Sequence, residues 1–373
     1  MSFLLNLVQI SLWKCDGWKH LPKLEQLPCL KSLSLFGLES VEYIDDNSCG
    51  GVNDESSSFS PSSSRDPTTT TATFFPSLEN LCIREMPNLK GWWRSKLGED
   101  EKQSTANNQE EQQLLSHPTF PCLVESKIYD CPQLTSMPLQ PTVVKLEFGR
   151  VGGKVVQEQL LTMAKETPTT VATSSSSLVP LSNLEELHIW DIEDLVTLPE
   201  EAFPLLTSLL KLKIEGCPKL TSLSRGMRHL TALMSLEILS CQELDLSDDG
   251  MHFQGLGNLT SLEITKIPKL ESIPAGLQHV TTLQSLSIEI PKNLESLPEW
   301  IGNLTSLQKL YIYSCPSLKS LPEGMRRLTA LQRLIIRSCS QELNDRCQKE
   351  TGEDWPKIAH IPDVQITNRR YPS

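Results

Sequence analysis

Apolar and polar residues alternate in short stretches that recur along the chain with nearly constant spacing. In one copy, aliphatic residues stand at Leu307, Leu310 and Ile312, and further apolar residues follow at Leu318 and Leu321. The first three positions have the period of two that is typical of a β-strand with one buried face. Twelve segments fit this template, and they begin at Leu7, Leu30, Leu78, Leu123, Val143, Leu184, Leu209, Leu233, Leu259, Leu283, Leu307 and Leu331.

The spacing of these segments predicts the architecture. The last six steps between first positions are 25, 24, 26, 24, 24 and 24 residues, which is the length and pattern of leucine-rich repeats. Such a unit buries its apolar face only against its neighbours, so the chain should stack into a solenoid. We predict an α/β solenoid, a horseshoe of about 12 repeats of about 24 residues with a parallel concave β-sheet. Frequent proline and glycine in the return segments predict short helices and turns on the convex side.

Two parts of the chain are expected to differ in role. Residues 1–340 are predicted to form the repeat domain and residues 341–373 a C-terminal capping segment, in which Val364 and Ile366 alternate like a last strand. Because full repeat register already starts at Leu7, we expect the chain to be the C-terminal part of a longer protein or a natural truncation of it.

The repeat pattern is interrupted in the N-terminal half. Polar stretches rich in serine, threonine or charge predict disordered insertions, because such sequences bury too little apolar surface to fold. The third of them also contains a short helical pattern around residues 158–165. The predicted insertions are residues 45–73, 94–118 and 152–180.

Charge and cysteine usage narrow the classes of partner and compartment. A formal net charge of −12 and a pI of about 5.2 argue against a nucleic-acid binder, because phosphate binding depends on lysine and arginine. The 11 cysteines form no CxxC pair, and six of them recur at one template position, which favours packing over disulfide chemistry and a cytoplasmic or nuclear location. Those six are Cys15, Cys131, Cys217, Cys241, Cys315 and Cys339. No apolar run is long enough to predict a membrane span.

The sequence contains only weak signals for catalytic, metal-binding or nucleotide-binding sites. The seven histidines are scattered, and no spacing of histidine and cysteine matches a zinc site. The stretch Gly149-Arg-Val-Gly-Gly-Lys154 has one residue too few for a phosphate-binding loop, and Val155 replaces the hydroxyl residue that would contact magnesium. We therefore predict no catalytic, cofactor-binding or metal-binding residues, and a protein that is not an enzyme.

The outward strand positions are the candidate binding residues, because a solenoid presents them side by side on its concave face. Aromatic residues and arginine are common anchors of protein interfaces, and glutamates on neighbouring strands repel each other unless a basic partner meets them. The candidate protein-binding residues are Trp13, Phe36, Arg84, Tyr129, His188, Trp190, Glu215, Glu237, Glu263, Glu289, Tyr311, Tyr313 and Arg337. Two alternatives stay open: the rings pack against their neighbours or the insertions, and the glutamates form an ordinary solvated face.

Two phrases of the sequence resemble a known family. They are Cys315-Pro-Ser-Leu-Lys-Ser-Leu-Pro-Glu-Gly-Met and the ending from Gly352-Glu-Asp-Trp to Ile361-Pro. Both resemble the C-terminal repeat region of plant intracellular immune receptors, the coiled-coil, nucleotide-binding, leucine-rich-repeat (CC-NBS-LRR) disease resistance proteins. The resemblance covers essentially the whole chain, with the polar insertions as local departures.

The resemblance implies a function. In that family the repeats sense pathogen effectors or modified host proteins and contribute to the autoinhibition of a nucleotide-binding switch, a module that is absent from this chain. By analogy, repeats around Trp13 and Phe36 would contact the nucleotide-binding module, and those around Tyr311, Tyr313 and Arg337 would face the effector. The expected partners are therefore proteins. The alternative is a substrate-recruiting adaptor of a ubiquitin ligase or another intracellular repeat scaffold, although the F-box helix expected before the repeats of a ligase adaptor is missing.

Overall fold

A parallel β-sheet runs through every repeat of the chain. The computed structural model describes residues 6–15, 17–22, 24, 27–45, 75–93, 119–165, 181–246, 253, 255–289 and 294–367. The strands are β1 (Gln9–Trp13), β2 (Ser32–Phe36), β3 (Tyr43–Asp45), β4 (Asn80–Arg84), β5 (Gly91–Trp93), β6 (Glu125–Cys131), β7 (Lys145–Val151), β8 (Glu186–Trp190), β9 (Lys211–Glu215), β10 (Ser235–Leu239), β11 (Ser261–Thr265), β12 (Ser285–Glu289), β13 (Lys309–Tyr313), β14 (Arg333–Arg337) and β15 (Asp363–Thr367).

Thirteen of these strands form one sheet, and the remaining two form a small second one. The large sheet has the order β1-β2-β4-β6-β7-β8-β9-β10-β11-β12-β13-β14-β15, and β3 pairs with β5. Every described strand pair is parallel, as expected for units that follow one another in the same direction. The predicted leucine-rich-repeat solenoid is confirmed.

The alternation of each strand builds a continuous core. Leu286, Leu310 and Leu334 are register partners on β12, β13 and β14, and each is fully buried. Burying such a side chain contributes roughly 2 kcal/mol, and the neighbouring repeats exclude the water. A slip of one residue would turn every leucine to solvent, so the buried face holds the register.

The convex side is built from brief 3₁₀ turns, which confirms the expectation from proline and glycine. Examples are Glu299–Asn303 and Glu323–Arg327, each preceded by a proline. The two turns pack closely, since a Cβ on Gly324 would lie 2.3 Å from the Glu299 carbonyl oxygen. The Glu299 carboxylate accepts hydrogen bonds from the backbone N–H groups of Glu323 and Gly324 at 3.1 and 2.8 Å.

The recurring cysteines lie where each strand leaves the sheet. Cys131 and Cys315 each donate their thiol to the carbonyl two residues earlier, at 3.2 Å. Burial raises the pKa of Cys131 to about 12, so this thiol is protonated at neutral pH and is a poor nucleophile. Of the six, Cys15 is half-buried in the end repeat, and the others are buried free thiols.

Within the insertion predicted at 152–180, the short helical pattern around residues 158–165 corresponds to a longer helix in the structure. Residues Gly153–Lys165 form helix α1, which buries Val155, Val156, Leu160 and Met163. These apolar residues share one helical face that packs on the convex side. Residues 166–180, 46–74 and 94–118 lie outside the described residues, and Asp45 is the last residue of β3 rather than the start of an insertion.

The C-terminal residues cover the last repeat. Helix α2 (Gln341–Arg346) and helix α3 (Trp355–Ile358) precede β15, which pairs with β14 and contains Val364 and Ile366. Leu343 and Ile358 are fully buried against the solenoid. Among the described residues, no helix combines the length and the apolar character needed to cross a bilayer.

A buried carboxylate fastens this cap. Asp354 accepts hydrogen bonds from the Leu321 backbone N–H at 3.0 Å and from Arg346, whose Nε lies 3.0 Å from Oδ2. The Lys357 ammonium lies 2.9 Å from Oδ1. Burial alone would raise the pKa of Asp354, but the bonds from Arg346, Leu321 and Lys357 outweigh it, and the pKa is lowered.

Replacing this carboxylate should loosen the cap. Asp354→Asn leaves Arg346 and Lys357 without their buried counter-ion, and we expect a loss of about 3 kcal/mol in the free energy of opening β14 and β15. Amide hydrogen exchange measures that opening. Glu353→Gln is the matched control, because Glu353 also pairs with Arg346 but is 75% exposed, and it should change the protection little.

The same carboxylate predicts a pH dependence. Because its pKa is lower folded than unfolded, the stabilisation is complete above the unfolded value of about 3.9 and is lost as the pH falls through the folded value. Exchange protection of β15 should therefore drop in acid in the wild type more steeply than in Asp354→Asn. Equal pH profiles for both proteins would contradict this role.

Candidate protein-binding face

The outward residues of the thirteen-stranded sheet form one surface, called the concave face below. Because the strands are parallel and in register, the outward residues align in three rows across the strands. All thirteen sequence-predicted residues lie on this face, and none is buried. His188, Glu237, Glu263 and Tyr311 belong to the middle row, and the other nine lie in the row at the carboxyl ends of the strands.

The N-terminal end of the face is aromatic and basic. The rings of Trp13 and Phe36 lie 4.5 Å apart between centroids, and Trp13 is 70% exposed. The Arg84 guanidinium lies 5.6 Å and the Lys14 ammonium 6.0 Å from the centre of the Phe36 ring. Cations over an aromatic face are attracted by its quadrupole, so Phe36 is partly covered while Trp13 is available for contact.

In the centre, a missing side chain lets one aromatic ring lie across a strand. Gly149 of β7 stands between Tyr129 of β6 and Trp190 of β8. The Trp190 indole occupies the space above this glycine, since a Cβ there would fall 2.0 Å from its Cε2 atom. The indole thereby reaches Tyr129, with 5.4 Å between ring centroids, and the Arg150 guanidinium lies 4.5 Å from its centre. Trp190 is therefore held in one orientation before any partner arrives.

His188 lies beside this aromatic group in the middle row. Its register partners are Glu147 and Lys213, and it borders a cavity of about 150 Å³. The buried Nε2 atom has no hydrogen-bond partner among the described residues. Burial and the Lys213 charge lower the pKa of His188, although Glu147, Glu215 and Glu237 act in the opposite direction. Because this pKa lies below the usual value of about 6.5, the imidazole is neutral at pH 7.

Charges in the central strands pair across the sheet. Lys127 lies 3.7 Å from Glu147, which also accepts a hydrogen bond from the Tyr129 hydroxyl. Lys213 lies 2.9 Å from Glu215 and 3.8 Å from Glu237. Opposite charges on neighbouring strands attract, so this part of the face is close to internally neutral.

The four sequence-predicted glutamates, which were expected to align on neighbouring strands, do not form one row. Only Glu237 and Glu263 are direct register partners, whereas Glu215 stands beside Leu239 and Glu289 beside Tyr313. The positive charge of Lys213 compensates the negative charges of Glu215 and Glu237. Burial raises the pKa of Glu263, and the Glu237 charge adds to that effect. The uncompensated negative charge therefore concentrates on β11 and β12.

At the C-terminal end, two tyrosines lie side by side. The rings of Tyr311 and Tyr313 are nearly parallel, with centroids 6.3 Å apart. Arg333, which is next to this group on β14, pairs with Asp363 of the cap at 2.7 Å. Arg337 follows at the edge of the same surface, and Ile335 between them is buried.

Three residues that shape the face, Gly149, Arg150 and Lys213, are not among the thirteen sequence-predicted binding residues. Gly149 carries a signal in the sequence, because a glycine at an outward strand position beside a tryptophan on the next strand indicates a close approach. Arg150 and Lys213 were also missed, because their importance depends on partners in other repeats. Within the described residues, no three histidine, cysteine, aspartate or glutamate side chains are grouped to hold a metal ion.

Comparisons with known proteins agree with the repeat fold. No protein-family model matches the chain. A protein of Solanum bulbocastanum named "Putative disease resistance protein RGA1" is 30% identical over 217 residues, which are 57% of this chain and 16% of that protein. The chain thus matches about a sixth of the length of this relative.

Solved repeat structures are similar at low identity. The leucine-rich repeat domain of the type III effector XopL is 24% identical and has a TM-score of 0.39, over 56% of this chain and 79% of that one. An internalin, InlF of Listeria monocytogenes, is 13% identical with a TM-score of 0.44, over 98% of this chain and 82% of that one.

The position of Trp190 can be tested through Gly149. Gly149→Ala places a methyl group where the indole lies, so Trp190 should leave Tyr129 and become more exposed, at a cost of about 1–3 kcal/mol in stability. Fluorine NMR of protein labelled with 5-fluorotryptophan measures this movement as a change in the Trp190 chemical shift. The Trp190 signal is assigned by its loss in Trp190→Phe. Ser287→Ala, at another outward strand position, is the control and should leave that signal in place. An unchanged Trp190 signal in Gly149→Ala would contradict the position of the indole directly above Gly149.

Proposed function

We propose that the concave face is the protein-recognition surface of a plant immune receptor of the CC-NBS-LRR class, which senses pathogen effectors or modified host proteins. The observation that carries the proposal is the arrangement of Trp13, Trp190, Tyr311 and Tyr313 on one solvent-facing sheet. Rigid aromatic residues of this kind are frequent anchors of protein interfaces. The identity to a relative named for disease resistance supports the choice of plant defence.

The two aromatic ends of the face suggest a division of roles. The N-terminal group around Trp13 and Phe36 would contact the nucleotide-binding module of the parent receptor and contribute to its resting state. The C-terminal group of Tyr311, Tyr313 and Arg337 would contact the effector or host protein. The proposed location is the cytoplasm or nucleus, which suits the free thiols of all described cysteines.

The proposal is tested with the purified chain and a panel of pathogen effectors. For an effector that binds, the triple variant Tyr311→Ala, Tyr313→Ala, Arg337→Ala should weaken binding by about 30-fold or more, because it removes a cluster of anchor side chains. Calorimetry measures the change. A control triple variant on the convex side, Arg225→Ala, Arg228→Ala, Glu271→Ala, should bind normally.

The effector role is rejected if both triple variants bind an effector equally well. The resting-state role is tested separately in a chimera, in which this chain replaces the matching repeats of the Solanum relative. With Trp13 and Phe36 intact the chimera should remain silent in leaf tissue. Changing both to alanine should release effector-independent cell death, and continued silence would reject the contact with the nucleotide-binding module.

A further inference from the structure

The first strand of the large sheet has a partner on one side only. β1 pairs with β2 in parallel, and no described residue pairs with its other side. Its core-facing residues Ile10 and Leu12 are only half-buried, whereas their register partners Leu33 and Leu35 are buried. An open strand edge with apolar side chains beneath it is a template for pairing with a further strand.

The same end of the molecule carries a large share of the exposed apolar residues. Val8, Trp13 and Trp18 are 50%, 70% and 41% exposed, and they are half of the large apolar residues that are exposed in the described part of the chain. Strand β1, whose sequence is Gln-Ile-Ser-Leu-Trp, contains neither a charged residue nor a proline. Natural sheets protect an open edge with such residues, so β1 lacks the usual protection against association.

The backbone groups of β1 alternate between its paired side and its open side. The Val8 carbonyl accepts a hydrogen bond from the Ser32 backbone N–H at 3.0 Å, and the Lys14 backbone N–H donates to the Phe36 carbonyl at 2.8 Å. In a parallel pair, successive residues direct their N–H and C=O groups to opposite neighbours. The even-numbered residues of this stretch therefore direct these groups to β2. The residues of β1 that direct theirs to the open side are Gln9, Ser11 and Trp13.

We propose that the chain forms a two-fold symmetric dimer, in which β1 pairs antiparallel with β1 of a second copy. The pairing is centred on Ser11, which faces Ser11 of the second copy, while Gln9 faces Trp13. These are the residues whose backbone groups are open, and each facing pair exchanges two hydrogen bonds. Beneath the sheet, Ile10 packs against Leu12 of the second copy, so the two apolar cores become continuous.

Charge and symmetry favour this partner. Lys14, which follows β1, falls opposite Val8 of the second copy, so no like charges face each other along the paired strands. The two-fold contact is closed, as in most homo-oligomers, whereas a head-to-tail contact between β1 and β15 would extend into an open filament. The dimer uses backbone groups and goes beyond the contact that we propose for the Trp13 and Phe36 rings in a receptor.

A proline at the centre of β1 tests the pairing. Ser11→Pro removes the N–H that points to the second copy but leaves the bonds to β2 in place, so the monomer should fold and the dimer should weaken about 30-fold or more. Ser11→Ala keeps this N–H and is the matched control, whose dimer should be as stable as that of the wild type. Ser11→Lys, which places two ammonium groups face to face, should also weaken the dimer. Sedimentation equilibrium measures the association, and circular dichroism checks that each variant is folded.

Hydrogen exchange at low and high concentrations of the purified chain locates the contact. The open amides of β1 should become protected as the dimer forms, whereas the amides of β15 should not change. A monomeric wild type would overturn the proposal, also where removal of residues 1–5 then permits a dimer, because those residues would be the occupant of the edge. A dimer that Ser11→Pro and Ser11→Lys leave unchanged, or protection of β15 in a growing series of oligomers, would overturn it as well.

Discussion

The leucines of each repeat are buried by the repeats on either side, and this shared burial supports everything else in the molecule. Leu310 lies between Leu286 and Leu334, so its strand has no apolar core of its own. A repeat at the end of such a stack has a neighbour on one side only, so its other apolar side must be covered by a different structure. At the C-terminus, Asp354 ties α2, α3 and the last return segment together through Arg346, Lys357 and the Leu321 backbone, a role that no leucine could fill.

The register that buries the leucines also aligns the outer face. Residues that are far apart in the chain become direct neighbours, and their side chains interact as pairs. Lys213 can serve two glutamates because it stands between β8 and β10 in the middle row. Trp190 can reach Tyr129 because the intervening register position is Gly149. The face is thus a set of local groups, each assembled from two or three adjacent repeats.

These groups divide the face into zones of different chemistry. An aromatic and basic zone at β1, β2 and β4 is followed by a charge-paired centre, a negatively charged zone at β11 and β12, and a second aromatic zone beside the cap. A partner that covers the arc would meet these zones in order, so its own sequence of apolar, neutral and basic patches would decide the fit. In the proposed recognition, the order of these zones rather than one pocket would set the specificity.

The sequence alone determined the repeat length, the parallel solenoid and which residues of each strand face outward. The repeat spacing of about 24 residues and the strand alternation of two residues are both local patterns, so they can be read without knowing any contact between distant residues. The sequence also indicated a short helix around residues 158–165, and the structure extends that helix to Gly153–Lys165, because the apolar face at its N-terminal end packs on the solenoid. Tertiary structure decided which outward residues meet. Three features depend on contacts between repeats: the separation of the glutamates into two rows, the position of the Trp190 indole above Gly149, and the burial of Asp354. The order of residues along the chain does not give the distances between residues in different repeats, so only the tertiary structure could show them.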